Sequence, residues 1–242
     1  MKKSKLYIFL LLVFCVLTSS EFKSGIVVQK KISLLYVYDP LCGWCYGFEP
    51  VMEQIAKNYN ENVDIEIISG GMVIGERIKP VGNMSAYILE SIPRLERTSG
   101  VTFGQPYIEL IKEGSYITSS EKPSIALCVN KSFKIVDQIA FAHGIQKSYF
   151  LEAKDLNQDS TYSNIASRFG IDKNAFLKRM QDSTYLNLAH AEFNRASVLG
   201  VNGFPTVLEK NENGYKVITE GYTDYSTLEK YLNKAIKQKN VK

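Results

Sequence analysis

Leu34 to Tyr38 is apolar at every position, the pattern of a central strand covered on both faces. Past a turn at Asp39-Pro40, apolar residues recur at Phe48, Val51, Met52, Ile55, Ala56 and Tyr59. That is the i, i+3, i+4, i+7 stripe of a helix facing a core. Pro50 lies inside the stripe and is expected to kink it, since it lacks an N–H and crowds the carbonyl one turn back. Val63 to Ile68 reads as a second strand, ended by Gly70-Gly71. A strand–helix–strand unit of this length predicts parallel pairing.

From about 80 to 200 the pattern turns helical. Spacing and turn signals predict helices near 84–95, 104–113, 123–131, 133–152, 160–168, 173–181 and 184–199. Asp172 and Asp182 or Ser183 are the expected N-caps, and Gly170 and Gly200 the expected stops. No strand is predicted in this block. Strand signals return at 205–209 and 215–219, with Asn213-Gly214 marking the hairpin turn between them. A last amphipathic helix, about 224–238, carries Leu228, Tyr231, Leu232, Ala235 and Ile236.

The two ends change the picture. Lys2, Lys3 and Lys5, the apolar run Leu6 to Leu17 and Thr18-Ser19-Ser20 have the layout of a secretory signal, so residues 1–20 are expected to be one. The run is short of the about 20 residues a membrane helix needs, so no stable membrane span is expected in the mature chain. Phe14 before Cys15 is too bulky for a lipoprotein signal. Export predicts a periplasmic or cell-envelope location. Loss of the three lysines takes the formal charge from +4 to +1, which gives no electrostatic case for nucleic acid. With 242 residues, 45% of them hydrophobic, the chain suffices for one buried domain or one domain with an insertion.

The chemistry lies in Cys42-Gly43-Trp44-Cys45, at a strand-to-helix junction. A Cys-x-x-Cys there reads as a redox motif. Cys42 falls at the helix N-cap or first turn, where unpaired N–H groups and the helix dipole favour a thiolate. Cys45, one turn on, is placed to attack a mixed disulfide held on Cys42. Zinc would need further ligands at ligand spacing. Cys15, Cys128, His143 and His190 are not so spaced, so no metal site is predicted. Cys128 sits in the apolar Ile125–Val129 and reads as an inert core thiol. Three mature cysteines are too few for a disulfide scaffold.

The element order, with the helical block removed, is that of thioredoxin. A helical block between the second strand and the hairpin resembles DsbA-like proteins. Cys42, Cys45, Tyr46, Phe48, Glu49 and Val51 match the Cys-x-x-Cys-Tyr-x-Phe-Glu-x-Val run of DsbA-type enzymes, and the phrasing from Asp39 to Gly47 is most similar to the protein-disulfide isomerase branch of that superfamily. Gly200 to Thr206 matches the loop carrying the family's cis-proline. The resemblance implies an α/β thioredoxin fold, with residues 33–79 and 200–239 forming the thioredoxin-like part and 80–199 an all-helical insertion. It implies a thiol:disulfide oxidoreductase or isomerase with Cys42 and Cys45 catalytic and no cofactor. Phe204 and cis-Pro205 would lie beside the disulfide, where a substrate strand can pair. Trp44, Phe204 and aromatics of the helical block would offer an apolar surface to substrates.

Two departures from the family pattern stand out. Gly43-Trp44 replaces the His that often lies between the cysteines of the oxidases. Tyr36 stands where thioredoxin-like enzymes often bury a carboxylate six residues before the first cysteine. Glu49 and Asp39 are the nearby candidates for a proton relay, though the plainer reading makes them a solvated charge or a turn residue. The missing His predicts a milder oxidant than the oxidase-type relatives. Expected partners are exported or unfolded proteins bearing thiols or disulfides, and a redox partner that the residues do not identify. With only 12 residues between the expected signal and the first strand there is no room for an added dimerisation domain, so a monomer is expected. A glutathione-linked isomerase or transferase relative, or a non-catalytic adaptor, are the competing readings.

Overall fold

The computed structural model describes residues 31–134 and 137–239. The expected signal, residues 1–20, lies outside the described residues. β1 (Ile32–Tyr38), α1 (Gly43–Asn58) and β2 (Val63–Ser69) form the first unit. β1 and β2 pair in parallel from Ile32↔Val63 to Tyr38↔Ser69, as strand–helix–strand spacing predicts. Short β3 (Lys79–Pro80) follows, then α2 (Ser85–Ser99), α3 (Gln105–Glu113) and short β4 (Ile117–Thr118). α4 (Glu121–Phe133), α5 (Gln138–Phe150), α6 (Asp159–Arg168), α7 (Lys173–Met180) and α8 (Ser183–Val198) complete the helical run. β5 (Thr206–Asn211), β6 (Gly214–Glu220) and α9 (Tyr225–Lys239) end the chain. The main sheet has the order β2-β1-β5-β6, with β5 antiparallel to both β1 and β6. This is the mixed α/β thioredoxin arrangement that the resemblance implies.

The unbroken apolar run Leu34 to Tyr38 of β1 follows from its central place. Ile32, Leu34, Tyr36 and Tyr38 point into a large core shared with α1, α9 and the helical run. Leu35 and Val37 point the other way, into a smaller cluster with Ile68, Leu208 and Ala196 of α8. Both faces are therefore covered, and alternation between apolar and polar residues has no reason to appear.

Four expectations are corrected. The break between the helices predicted at 123–131 and 133–152 lies further along the chain: α4 runs through Phe133, Lys134 adopts a left-handed conformation with φ 58°, and α5 starts only at Gln138. Asp137 makes that restart, accepting from the N–H groups of Ile139 and Ala140 at 2.7 and 3.3 Å. The helical block also contains strand: Lys79 and Pro80 pair with Thr118 and Ile117. A two-residue ladder is too short to carry a period-2 pattern. The hairpin turn lies one residue earlier than predicted, because Asn211 pairs with Gly214 and leaves Glu212-Asn213 as the loop. Finally, Asp39 and Glu49 are fully buried, not solvated. Asp172 and Asp182 cap α7 and α8 as expected, and α1 runs through Pro50.

Candidate active site

β1 ends at Tyr38, and the turn Asp39 to Leu41 delivers Cys42 to the N-cap of α1. Cys42 has extended backbone angles, φ −82° and ψ 113°, so the chain enters the helix with its sulfur beside the first free N–H groups. The N–H of Cys45 donates to Cys42 Sγ at 3.4 Å. Cys42 is 7% exposed and Cys45 0% exposed, so Cys42 is the sulfur within reach of solvent. Burial pushes the Cys45 thiol well above its ordinary pKa, and the neighbouring Cys42 sulfur adds to the rise. The N–H of Asp39 donates to Cys45 Sγ at 3.5 Å.

The second predicted motif meets the first. Phe204–Pro205 is cis. Cys42 Sγ donates to the carbonyl oxygen of Phe204 at 3.5 Å, across 162 residues of sequence. Pro205 is buried just behind. The Phe204 ring does not line the surface beside Cys42; it lies over Gly70, where an added Cβ would come within 1.9 Å of it. Its backbone faces the sulfur and its side chain packs at the end of the sheet.

Cys42, Gly43 and Trp44 form one wall of a cleft of about 600 Å³. Met72, Val81, Ile88, Ile92, Leu95, Phe103, Tyr107 and Phe150 supply apolar lining. At its mouth stand Met84 and Tyr87, 53% and 63% exposed. The charged lining residues are Arg77 and Lys79. Trp44 packs against two neighbours: the Arg94 guanidinium lies 5.5 Å from its ring centre and the Tyr222 ring 6.0 Å away.

Of the two acids, Asp39 ties three segments together. Its Oδ1 accepts from the Leu41 N–H and the Ser120 hydroxyl, both at 2.9 Å, and its Oδ2 accepts from the Met72 N–H at 2.7 Å. Gln146 Nε2 donates to its backbone carbonyl at 3.2 Å. Burial pushes its carboxyl up to about 6, against those donors and the Arg77 charge. Glu49, on the Cys45 side of α1, has no partner on either carboxyl oxygen. Burial, and then the charge of Glu53, hold its carboxyl well above the usual range. Tyr36 is buried with its hydroxyl unpartnered, and feels the charges of both Cys45 and Glu49. Cys128 is buried, its thiol pushed up to about 12, as an inert core residue should be.

Sequence reasoning missed three residues around this centre. Ser120 and Gln146 reach Asp39 from α4 and α5 regions 81 and 107 residues away, and nothing local marks them. His143, considered only as a partner for the cysteines, instead meets Glu53 at 2.5 Å. The i, i+4 spacing of Glu49 and Glu53 was the legible part of that group. Among the described residues, no helix is long and apolar enough to cross a membrane.

Known proteins share this architecture. A protein disulfide isomerase candidate from Nitrosomonas europaea superposes with a TM-score of 0.74 at 23% identity, covering 86% of this chain and 99% of that one. The cytosolic disulfide reductase DsbM from Pseudomonas aeruginosa superposes with a TM-score of 0.67 at 22% identity, covering 86% and 96%. The ClpXP adapter protein SpxH of Halalkalibacterium halodurans is 23% identical over 76% of this chain, and the match spans only 61% of that adapter's length. A model of the DSBA-like thioredoxin domain matches residues 34–233, and the chain belongs to that family.

Proposed function

We propose that the protein is an exported thiol:disulfide oxidoreductase that exchanges disulfides with thiol-bearing proteins through Cys42 and Cys45. One observation carries this reading: Cys42 Sγ opens onto an apolar cleft while Cys45 is sealed behind it within the same helical turn. In the oxidising direction a substrate thiolate attacks Cys42 Sγ of the enzyme disulfide. The Cys42–Cys45 bond breaks, and Cys45 leaves with the electron pair and takes a proton. Its buried site favours the neutral thiol. A second substrate thiolate then attacks the substrate sulfur of the mixed disulfide and releases Cys42 as thiolate. Two electrons have passed from substrate to enzyme. In the reducing direction Cys42 attacks first, and Cys45 resolves the mixed disulfide after giving up its proton.

The surroundings support exchange with polypeptides. The Cys45 N–H gives Cys42 a donor for the charge that exchange places on it. The Phe204 carbonyl offers an acceptor to a substrate backbone laid beside the sulfur. The apolar cleft suits side chains of unfolded segments. Asp39 is a strut of the active-site loop, its oxygens committed to three donors, and not the relay. Export to the periplasm or cell envelope belongs to the same proposal and rests on the signal-like residues 1–20.

The test is equilibration of the protein with glutathione buffers and measurement of the Cys42–Cys45 potential. A titratable dithiol, less oxidising than about −120 mV, is the expected result. A second reading, an adapter that uses the fold for contacts, is favoured by the likeness to the ClpXP adapter protein SpxH of Halalkalibacterium halodurans. Failure to detect any redox-active dithiol would replace the first reading by that one.

A further inference from the structure

The buried carboxylate of Glu49 has no hydrogen-bond partner on either oxygen. A polar group so placed costs free energy unless something answers it. Glu53, one turn further along α1, and His143, from α5, lie beside it, and Asp137 and Lys147 also act on it through their charges. One ligand atom from each of Glu49, Glu53 and His143 lies within 4.8 Å of the others. Two ligands at i, i+4 on one helix, completed by a third from a packed neighbour, is how helices assemble metal sites. His143 is nearly buried, and the Glu53 side chain is 44% exposed, which leaves an entry path. The cation acting on Glu49 is that of Lys147, which makes no hydrogen bond to it.

We propose that Glu49, Glu53 and His143 form a binding site for one divalent transition ion of the Zn²⁺ class, clamping α1 to α5 behind the cysteine pair. The donor set is two carboxylates and an imidazole, with no sulfur. That chemistry suits Zn²⁺, Mn²⁺ or Fe²⁺ more than Cu⁺. Metal–ligand distances of about 2.0–2.2 Å set tetrahedral ligands ~3.4 Å apart, so on binding the Glu53–His143 pair opens from 2.5 Å while the wider separations, within 4.8 Å, draw in, a change the half-exposed Glu53 can make. The ion replaces the Glu53–His143 hydrogen bond and supplies the positive charge that Glu49 lacks. Three protein ligands leave a fourth position for water. Binding requires neutral imidazole and ionised carboxylates, so it weakens as pH falls. The site is separate from Cys42 and Cys45 in its donors, and does not depend on the redox reading.

The test removes the competing sulfur ligands. Co²⁺ is titrated into the full chain carrying Cys42→Ser and Cys45→Ser, and the visible spectrum is followed. The expected result is saturation at one Co²⁺ with weak d–d bands and no sulfur charge-transfer band. Zn²⁺ displaces the Co²⁺ and raises the melting temperature. Glu53→Gln, and separately His143→Gln, in that background weaken binding by at least about tenfold. Absence of saturable binding overturns the proposal, and so does an affinity that Glu53→Gln leaves unchanged. Should His143→Gln fail to fold, Glu53→Gln decides alone, because its side chain is nearly half exposed.

Discussion

The sulfur of Cys42 lies 3.5 Å from the carbonyl oxygen of Phe204, so the two halves of the thioredoxin arrangement meet at the reactive atom. Cys45, one turn along α1, is shut off from solvent. Burial also pushes the Cys45 thiol well above its ordinary pKa, so the two sulfurs differ in access and should differ in chemistry. In reduced protein at neutral pH, iodoacetamide should modify Cys42 first and leave Cys45 and Cys128 untouched, as read by peptide mass spectrometry. Cys42→Ser should abolish disulfide exchange. Cys45→Ser should keep the first attack and accumulate mixed disulfides on non-reducing gels. Equal labelling of Cys42 and Cys45 would contradict the assignment of roles.

Met84 and Tyr87 stand exposed at the mouth of the cleft that Cys42 opens onto. Side chains that exposed contribute little to folding, so their loss should register in binding alone. Tyr87→Ala should raise KM for an apolar thiol peptide by roughly five- to thirtyfold, corresponding to about 1–2 kcal/mol of lost burial. Its urea midpoint should match wild type. Steady-state kinetics with an apolar and a charged peptide of equal length make the comparison. A loss shared equally by both peptides would mean that the cleft does not select for apolar segments.

How much of this was readable in the chain depends on the range of the forces involved. Cys42 and Cys45 were legible because the motif and its strand-to-helix setting are local. The helix stripe from Phe48 to Tyr59 was legible because one face of α1 is buried along its length. The loop at Phe204-Pro205 was legible only through its resemblance to a known pattern. Asp39 and Glu49 were misjudged because a carboxylate is buried only where partners or neighbours from distant segments enclose it. Ser120 and Gln146 come from far along the sequence, and His143 reaches Glu53 across 90 residues. The β3–β4 pairing escaped because two paired residues on each side leave no periodicity. The position of the break before Asp137 was misplaced by a few residues because Phe133 and Ile139 both continue an apolar pattern that spans it.

Gly70 is where the sheet makes room for the Phe204 ring. An added Cβ would stand 1.9 Å from that ring, far inside contact distance. Gly70→Ala should therefore destabilise the protein by about 1–3 kcal/mol, the range of overpacking in a fixed setting. Because the displaced residue also presents its carbonyl to Cys42, the exchange rate should fall with it. Removing the ring should relieve the clash, so Gly70→Ala with Phe204→Ala should cost less than the two single costs combined. Urea unfolding of the four proteins gives the coupling. Strict additivity would show that the ring moves aside freely and holds nothing in place.

Asp39 sets two influences against each other, and pH separates them. Three donors to its oxygens favour the ionised form, whereas complete burial favours the neutral one. Burial prevails, and the carboxyl is raised from 3.8 to about 6. A carboxyl with its pKa raised on folding binds more protons in the native state than in the unfolded one. Its contribution is fully present below the unfolded pKa near 3.8 and is lost as pH rises through about 6. A rise of that size corresponds to about 3 kcal/mol across the window. Asp39→Asn removes this titration; it keeps an acceptor for Leu41 and Ser120 but turns an amide towards the Met72 N–H. The variant should be less stable than wild type at every pH. The gap between the two should narrow by up to about 3 kcal/mol from pH 4 to pH 7. Taking the difference cancels the other carboxylates, whose own titration dominates each curve alone. Urea midpoints at pH 4, 5, 6 and 7 trace the gap. If it widens with pH instead, the three donors outweigh burial, and Asp39 is ionised in the folded protein throughout.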